Sequence, residues 1–349
     1  MANAQRNIQQ IFQTKSYKHP VLTTLSVHDA SEGPSSAIYP LPETSAGASR
    51  HAECPDCHNP HAANPTPATA PSIEGYNLDV TGVTSSGSGI SNAANQYEIC
   101  FKCHSESANK PQYFDTGTTG IGFGREPHRI TEVNNPNSYN KRLEFSSAVS
   151  WHPVVNARGL STGSNAEIPS LRAYFISPSG QSMTNKPLSA GTLIYCVDCH
   201  NNDAGRNLGT GYADALGPHG SNNVHLLERA YSYNTPPAMP GQAFTSIPYS
   251  SSAYAICNKC HDLDNSIVQD RSFGKHQRHV VGVGVSCSIC HAAHGVIGGT
   301  ATNNGHLINF DTAFVAPSSS GILRYDDTGF HKGSCYLTCH GVNHNPKSY

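Results

Sequence analysis

The stretch Cys54-Pro55-Asp56-Cys57-His58 holds two cysteines separated by two residues, and a histidine follows the second cysteine directly. The same arrangement recurs along the 349-residue chain, so that all 12 cysteines fall into six pairs and a histidine follows each pair. Five pairs have the spacing Cys-x-x-Cys-His, and the last has one extra residue between its cysteines. The six motifs are Cys54–His58, Cys100–His104, Cys196–His200, Cys257–His261, Cys287–His291 and Cys335–His340.

This spacing is typical of the covalent attachment of c-type haem. The two thiols become thioethers on the porphyrin vinyl groups, and the adjacent histidine is the proximal ligand of the iron. Zinc ribbons also use paired cysteines but need no histidine after each pair, and a disulfide framework leaves the histidines unexplained. We therefore predict six covalently bound haem c groups.

Every cysteine of the chain has a role in this prediction, and none is left as a free thiol. The predicted thioether residues are Cys54, Cys57, Cys100, Cys103, Cys196, Cys199, Cys257, Cys260, Cys287, Cys290, Cys335 and Cys339. The predicted proximal iron ligands are His58, His104, His200, His261, His291 and His340.

An internal repeat supplies candidates for the second axial ligands. The three methionines are too few to serve six irons, so we expect histidine in both axial positions. A histidine followed by Pro-Val or Val-Val precedes the first, third and fifth motifs, and a further histidine follows each of them. Three copies of this unit supply six predicted distal ligands, which are His19, His61, His152, His219, His279 and His294.

The remaining histidines are predicted to be solvated or to bond haem propionates. His276 lies three residues before His279 and is an alternative to it. His225 and His306 each precede a leucine at matching places in two units, but the first unit has Asn77 there, which argues against a ligand role. The eight histidines of this group are His28, His51, His128, His225, His276, His306, His331 and His344.

Two motifs carry their second histidine only three residues after the first. His58 and His61 have this spacing, as do His291 and His294. Side chains three apart on a helical turn lie ~5–6 Å apart at Cβ, so they cannot approach one iron from opposite faces of the porphyrin. We therefore expect His61 and His294 each to bind a different haem from the adjacent proximal histidine, which would clamp two haems together and favour fast electron tunnelling.

The composition predicts a mostly irregular chain with short helices and few short strands around a haem core. Hydrophobic residues make up 37% of the chain and charged residues 13%, which is little for an ordinary core. We divide the chain into three dihaem units, residues 1–125, 126–270 and 271–349, that form one continuous body. The haem motifs are expected on helical turns, with a helix start at residues 8–13 and strands at residues 171–176 and 192–195.

Charge and hydropathy exclude several classes of protein. The formal net charge is −2, with no basic stripe of the kind that binds nucleic acid. The longest apolar stretches are far shorter than the ~20 residues of a membrane span. The N-terminal residues contain no apolar signal-peptide segment, so we predict none within this numbering.

The motif layout resembles that of multihaem c-type cytochromes with doubled Cys-x-x-Cys-His motifs, in particular the extracellular hexahaem cytochrome nanowires of metal-reducing bacteria. The resemblance is carried by the six motifs, the His-Pro-Val elements, and the extra histidines of Cys54–His61 and Cys287–His294. It implies a continuous chain of bis-histidine haems in a helical homopolymer, where one histidine ligates a haem of the next subunit. The matching position is His61, and His19 on the N-terminal arm is the alternative.

The predicted function is electron transfer rather than catalysis. The resemblance implies a secreted protein outside the cell or on its outer surface, with other redox cytochromes or extracellular acceptors as partners. A monomeric periplasmic or surface electron shuttle is the alternative. A multihaem oxidoreductase would need a haem with an open position for substrate, and all six motifs end in histidine with further histidines available.

Overall fold

A computed structural model describes residues 7–21, 52–105, 129–130, 140–157, 168–204, 215–300 and 303–349. Most of these residues form turns and irregular segments, and the regular elements between them are short. The predicted class of an irregular chain with short helices and small strands is confirmed at this level.

Two of the α-helices begin at an asparagine whose side chain caps a free backbone N–H group. The Asn7 side chain accepts a hydrogen bond from the Gln10 N–H at 3.0 Å, and Asn140 caps the Leu143 N–H at 3.2 Å. The predicted helix start at Ile8 is confirmed. None of the described helices is long and apolar enough to cross a membrane. The helices are α1 (Ile8–Thr14), α2 (Cys54–Cys57), α3 (Gln96–His104), α4 (Lys141–Ser146), α5 (Ala255–Asn258) and α6 (Cys287–Cys290).

Tighter and wider helical turns complete the helical part of the chain. Two of the 3₁₀ turns hold their central histidine, His225 or His306, in the left-handed backbone region at φ 58° and 55°. The 3₁₀ turns are Gly75–Asn77, Cys196–Asp198, Val224–Leu226 and Gly305–Leu307. The π-helical segments are Leu263–Ile267 and Gln277–Val283.

The strands are short and form four small antiparallel sheets, with the orders β1-β6, β2-β3, β4-β5 and β7-β8-β9. The strand predicted at residues 171–176 is present only as β4. The strand predicted at residues 192–195 is wrong, because this irregular segment bonds the Pro153 carbonyl only through the Ile194 N–H. The strands are β1 (Tyr17–Lys18), β2 (Gly82–Val83), β3 (Gly89–Ile90), β4 (Tyr174–Ile176), β5 (Ser182–Pro187), β6 (Gly220–Ser221), β7 (Arg324–Gly329), β8 (Lys332–Cys339) and β9 (Val342–Ser348).

Helical turns carry five of the six motifs, as predicted, but the sixth lies in strand β8. In the Cys54, Cys196, Cys257 and Cys287 motifs, the N–H of the histidine donates to the carbonyl of the first cysteine, four residues earlier. The extra residue of the last motif places His340 five residues after Cys335, so the same α-helical bond cannot form. The prediction of a helical turn is therefore wrong for this motif.

Two junctions join the three units by backbone pairing. Strand β1 of the N-terminal arm pairs with β6 in the second unit. In the same way, the His152 N–H donates to the carbonyl of His294 at 2.9 Å, and the Val149 N–H donates to Val296 at 3.0 Å. Each junction therefore brings a His-Pro-Val segment beside the downstream histidine of the following unit.

The buried apolar residues form several small clusters instead of one large core. Clusters around Val285, Phe101, Tyr254 and Ile99 each pack against at least one motif cysteine. Apolar side chains therefore surround several of the motif cysteines.

Candidate metal centres

Each of the six motif histidines faces a second imidazole at nearly the same separation. The pairs, with the distances between ring centroids, are His58–His219 at 6.0 Å, His104–His19 at 6.2 Å, His200–His294 at 6.0 Å, His261–His152 at 6.3 Å, His291–His276 at 6.3 Å and His340–His279 at 6.1 Å. The partners of each pair lie far apart in the sequence, except in the fifth pair, His291 and His276.

This separation is the one expected when a single metal ion is bound by two imidazoles from opposite sides. A metal–imidazole bond of about 2.0–2.1 Å puts two opposed nitrogens about 4 Å apart and the ring centroids roughly 6 Å apart. Rings that stack face to face are closer, as in Phe330 and His331 at 3.7 Å, whereas edge-to-face pairs such as Phe12 and His219 also reach 6.0 Å. The paired histidines therefore fit the two axial ligands of a haem iron.

The Nδ1 atoms of three proximal histidines donate to backbone carbonyls of the 3₁₀ turns. His58 donates to Tyr76 at 2.9 Å. His200 donates to His225 at 2.8 Å, and His291 donates to His306 at 2.9 Å. A hydrogen-bonded Nδ1 fixes the tautomer and orients the ring, so that Nε2 is left to bind a metal. The backbone carbonyls, not the rings, of His225 and His306 take part in these sites.

Two of the second imidazoles are held by a matching bond at the unit junctions. His19 Nδ1 donates to the Pro218 carbonyl at 2.5 Å, and His152 Nδ1 donates to the Ala293 carbonyl at 2.5 Å. Each acceptor directly precedes the downstream histidine of the next unit. One junction therefore orients ligands of two neighbouring centres.

A carboxylate instead of a carbonyl orients His294. Its Nδ1 donates to Glu144 Oε2 at 3.0 Å, and the same buried carboxylate pairs with Lys141 Nζ at 2.6 Å. Burial opposes the charge of Glu144, but Lys141 and His294 together hold its pKa below the ordinary value. An ionised carboxylate at this position makes the imidazole a more electron-rich ligand.

Burial keeps several of these imidazoles neutral, which is the form that binds metals. Desolvation is the main cause in each case, and it lowers the pKa of His200 to about 4 and that of His291 to about 3. The pKa of His276 is lowered to about 4, again mainly by burial. These rings are uncharged at neutral pH.

The pairing follows the repeat in a regular way. The histidine of each His-Pro-Val or His-Val-Val element faces the second motif of its own unit, as in His19–His104, His152–His261 and His279–His340. The histidine downstream of an odd motif faces the first motif of the preceding unit, as in His219–His58 and His294–His200. His294 thus pairs with a different motif from the adjacent His291.

Among the predicted distal ligands, only His61 lies against none of the described motif histidines. Its side chain is exposed, and its backbone N–H donates to Asn59 Oδ1 at 3.0 Å. The fifth motif, which would be next in the series, is faced by His276. Sequence analysis considered His276 only as an alternative to His279, whereas both face motif histidines.

His340 has a second neighbour, because His279, His340 and His344 form a cluster whose ligand atoms lie within 4.8 Å of one another. His344 follows His340 by four residues on the β8–β9 hairpin, too short a tether to pass around a porphyrin and reach its opposite face. His279 comes from another segment, and its Nδ1 donates to the Lys275 carbonyl at 2.9 Å. His279 therefore suits the opposite axial position better than His344 does.

The other histidines occupy different surroundings. His306 Nε2 contacts Asp327 Oδ2 at 3.1 Å, and the ring of His225 packs against Tyr233. His28, His51 and His128 lie outside the described residues.

The motif cysteines form a row in the order of the sequence. None of the twelve forms a disulfide, the side chains of Cys100 and Cys196 hydrogen-bond each other, and those of Cys257 and Cys287 do the same. Burial raises the pKa of Cys57 to about 12, with a smaller contribution from the nearby Cys100. In the same way, Cys199 contributes to the raised pKa of Cys260, and Cys339 contributes to the raised pKa of Cys290.

Two buried lysines each link the two motifs of their own unit by a hydrogen bond. Lys102 Nζ in the second motif donates to the Asp56 carbonyl in the first motif at 2.5 Å. Lys259 in the fourth motif donates to the Asp198 carbonyl in the third, and it also pairs with Glu228 at 3.0 Å. Both lysines are only 1% exposed, so their bonds fix how neighbouring motifs lie.

No family model matches this chain, and no curated protein or solved structure was found that is similar to it.

Of the residues at these centres, Glu144 was not predicted, and His276 was predicted only as an alternative to His279. Glu144 carries no motif, and nothing in the sequence connects it with His294. His276 has a weak signal, since it is the one extra histidine three residues before a His-Val-Val element, and Ser16 and Val149 hold the corresponding positions before His19 and His152.

Proposed function

We propose that the chain is a hexahaem c-type cytochrome that carries electrons along a row of closely spaced bis-histidine haems. The observation that carries the proposal is the pairing of every motif histidine with a second imidazole at the width of one metal ion. Two histidine ligands leave no open position on the iron, as electron transfer requires. The row of contacting motif cysteines supports an electron path that follows the sequence.

The twelve cysteines would hold the six haems, and the paired histidines would ligate the irons. Haem c supplies a reversible one-electron couple when it is bound. The chain's own residues orient the imidazoles through Nδ1, keep them neutral by burial, and exclude water with the apolar clusters around the motifs. Glu144 places a negative charge beside one pair.

The finer part of the proposal is an extracellular filament, with the chain as a homopolymer. His19 faces His104 of its own chain, whereas His61 is exposed beside the first motif. The pairing of His219 and of His294 with the preceding unit supports His61 as the bridge, because in a homopolymer the third unit of another copy could take the place of a preceding unit. Electrons would pass from the filament to other redox cytochromes or extracellular acceptors.

A monomeric periplasmic or surface shuttle is the second candidate. It is favoured by the fact that the chain itself offers a second imidazole to all six motif histidines. The same pairing argues against an oxidoreductase, which needs a haem with a free axial position.

The test begins with the protein released from cells without denaturant. We expect six covalent haems by mass spectrometry, a low-spin spectrum without carbon monoxide binding, and regular filaments by electron microscopy. Discrete particles would support the shuttle, and a chain without covalent haem would overturn the proposal.

A variant tests the ligand assignment directly. His294→Ala should leave six haems attached, with one of them high-spin and able to bind one carbon monoxide per chain. His331→Asn is the control, because His331 stacks on Phe330 and faces no motif histidine, and it should remain low-spin. An unchanged spectrum in His294→Ala would contradict its pairing with His200.

A further inference from the structure

The fifth motif is the first motif of the third unit, and its histidine is paired within its own unit. The first motifs of the other two units are each paired with a histidine of the following unit. His58 faces His219 of the second unit, and His200 faces His294 of the third. His291, in contrast, faces His276 of its own unit at 6.3 Å, with the ring planes 29° apart. The ring angles of the other two pairs are similar, at 21° and 33°.

His276 is held differently from His294. Its Nδ1 contacts the Ser272 hydroxyl at 3.2 Å, whereas the buried Glu144 carboxylate holds His294 at 3.0 Å. A neutral hydroxyl at the longer distance orients the ring less firmly than a carboxylate does. The ring of Phe273 packs against its edge at 5.7 Å.

His61 is the counterpart of His219 and His294 in the repeat, and it is exposed. It follows the first motif, as His294 follows the fifth motif. The regular pairing gives His61 one matching position, which is opposite His291 of a second copy. His61 of a second copy and His276 would therefore compete for the position opposite His291.

We propose that His276 is a placeholder ligand, which completes the fifth centre in the dispersed chain and yields its place to His61 of the next copy when filaments grow. This inference rests on the proposed function. One neutral imidazole nitrogen leaves and another takes its place, so no proton or electron is gained or lost. The placeholder keeps every haem closed before assembly, and its displacement slows the joining of subunits.

The variant His276→Ala separates the two states. Dispersed His276→Ala chains should show one high-spin haem that binds one carbon monoxide per chain. This signal should disappear when the variant forms filaments, because His61 fills the position, and filaments should grow faster than those of the wild type. The double variant His61→Ala/His276→Ala should keep its carbon monoxide site at every protein concentration, and His61→Ala alone should remain dispersed.

A second variant marks the ligand spectroscopically and keeps the site filled. In dispersed His276→Met chains the thioether sulfur should give the charge-transfer band of methionine-ligated haem. This band should vanish on assembly. The variant also guards against a failure of His276→Ala to fold.

Two results would overturn the exchange while leaving electron transfer intact. One is a His276→Ala filament that still binds carbon monoxide, or a His276→Met filament that keeps its methionine band, since His276 would then be a permanent ligand. The other is a dispersed His276→Ala chain with six low-spin haems. Wild-type protein that never forms filaments would overturn the filament part of the proposed function, and the exchange with it.

Discussion

The first and second units hold their histidines in the same geometry but surround them with different charges. In the first unit Lys102 donates only to neutral groups, the Asp56 carbonyl and the Thr81 hydroxyl. In the second unit the equivalent Lys259 pairs with the buried Glu228, and Arg229 contacts the same carboxylate at 3.3 Å. Hydrogen bonds to the backbone thus give the histidines of both units the same geometry, while single side chains set the local electrostatics.

The two unit junctions differ in the same manner. At the first junction, a Cβ on Gly220 would meet side-chain atoms of Ile11 and Lys15 at 2.9 and 3.0 Å. At the second, a Cβ on Gly295 would lie 1.8 Å from the carbonyl oxygen of Glu144. The overlap at Gly220 is small, whereas the overlap at Gly295 is severe and can be relieved only by moving the backbone of α4, and with it Glu144, away from His294.

The largest expected effect is a difference in stability between variants of the two buried lysines, Lys259 and Lys102. Lys259→Met should destabilise the protein by about 3–5 kcal/mol, because it leaves the buried Glu228 with less compensation. Lys102→Met should cost about 1–3 kcal/mol, because it removes hydrogen bonds from neutral groups only. Equilibrium unfolding in guanidinium chloride measures both, and equal losses would show that the difference in charge has no energetic consequence.

The two glycines provide the next test. Gly295→Ala should cost about 1–3 kcal/mol through overpacking against the backbone, and it should make one haem partly high-spin because His294 shifts. Gly220→Ala should cost less than Gly295→Ala, since its overlap with Ile11 and Lys15 is much smaller than that of a Cβ 1.8 Å from a backbone oxygen. Thermal unfolding and the visible spectrum report the two effects. A similar loss at both junctions would contradict the difference in rigidity.

A smaller effect concerns the potential of one haem. Glu144→Gln keeps the shape of the side chain but removes its charge, so the haem between His200 and His294 should become easier to reduce by about 60 mV, roughly a tenfold change in the one-electron equilibrium. Because the pKa of Glu144 lies below 4.5, the difference should persist at neutral pH and fade only as the pH falls below that value.

The control is Asp327→Asn, which removes a carboxylate beside His306, a ring that faces no motif histidine. Its six potentials, followed by spectroelectrochemical titration, should match those of the wild type. An equal shift in both variants would assign the effect to net charge instead of to the bond with His294.

The smallest expected effect is that of His344→Ala, which should leave all six haems low-spin.

Ring planes are 21°, 33° and 29° apart in the first pair of each unit, and 69°, 66° and 66° apart in the second. Near-parallel rings give rhombic ferric EPR signals and crossed rings give signals with a large g value, so we expect three of each.

The count of EPR signals also tests the sixth centre. His279 and His344 have ring planes 34° apart. If His344 ligated the sixth iron opposite His279, the wild type would give four rhombic signals and two of the other kind, and His344→Ala would change the spectrum. An unchanged three-to-three ratio supports His340 opposite His279.

Much of the fold class follows from composition, but the individual elements do so less well. The helix at Ile8 was predictable from its local sequence. The three-stranded sheet β7–β9 was not, because its strands carry charged and turn-forming residues and are held by pairing with one another. The segment around Ile194 has the composition of a strand but finds no partner strand, so it remains irregular.

The sequence by itself determined which residues the proposed chemistry would use. The cysteine pairs and their histidines lie within five or six residues of one another, so the spacing alone defines each motif, and the repeat identifies most of the second histidines. Only the tertiary structure decided which imidazole faces which motif, because His58 and His219, or His200 and His294, are joined by no local geometry. The path of the chain between the units brings them together, and it leaves His61 exposed with His276 in the matching place.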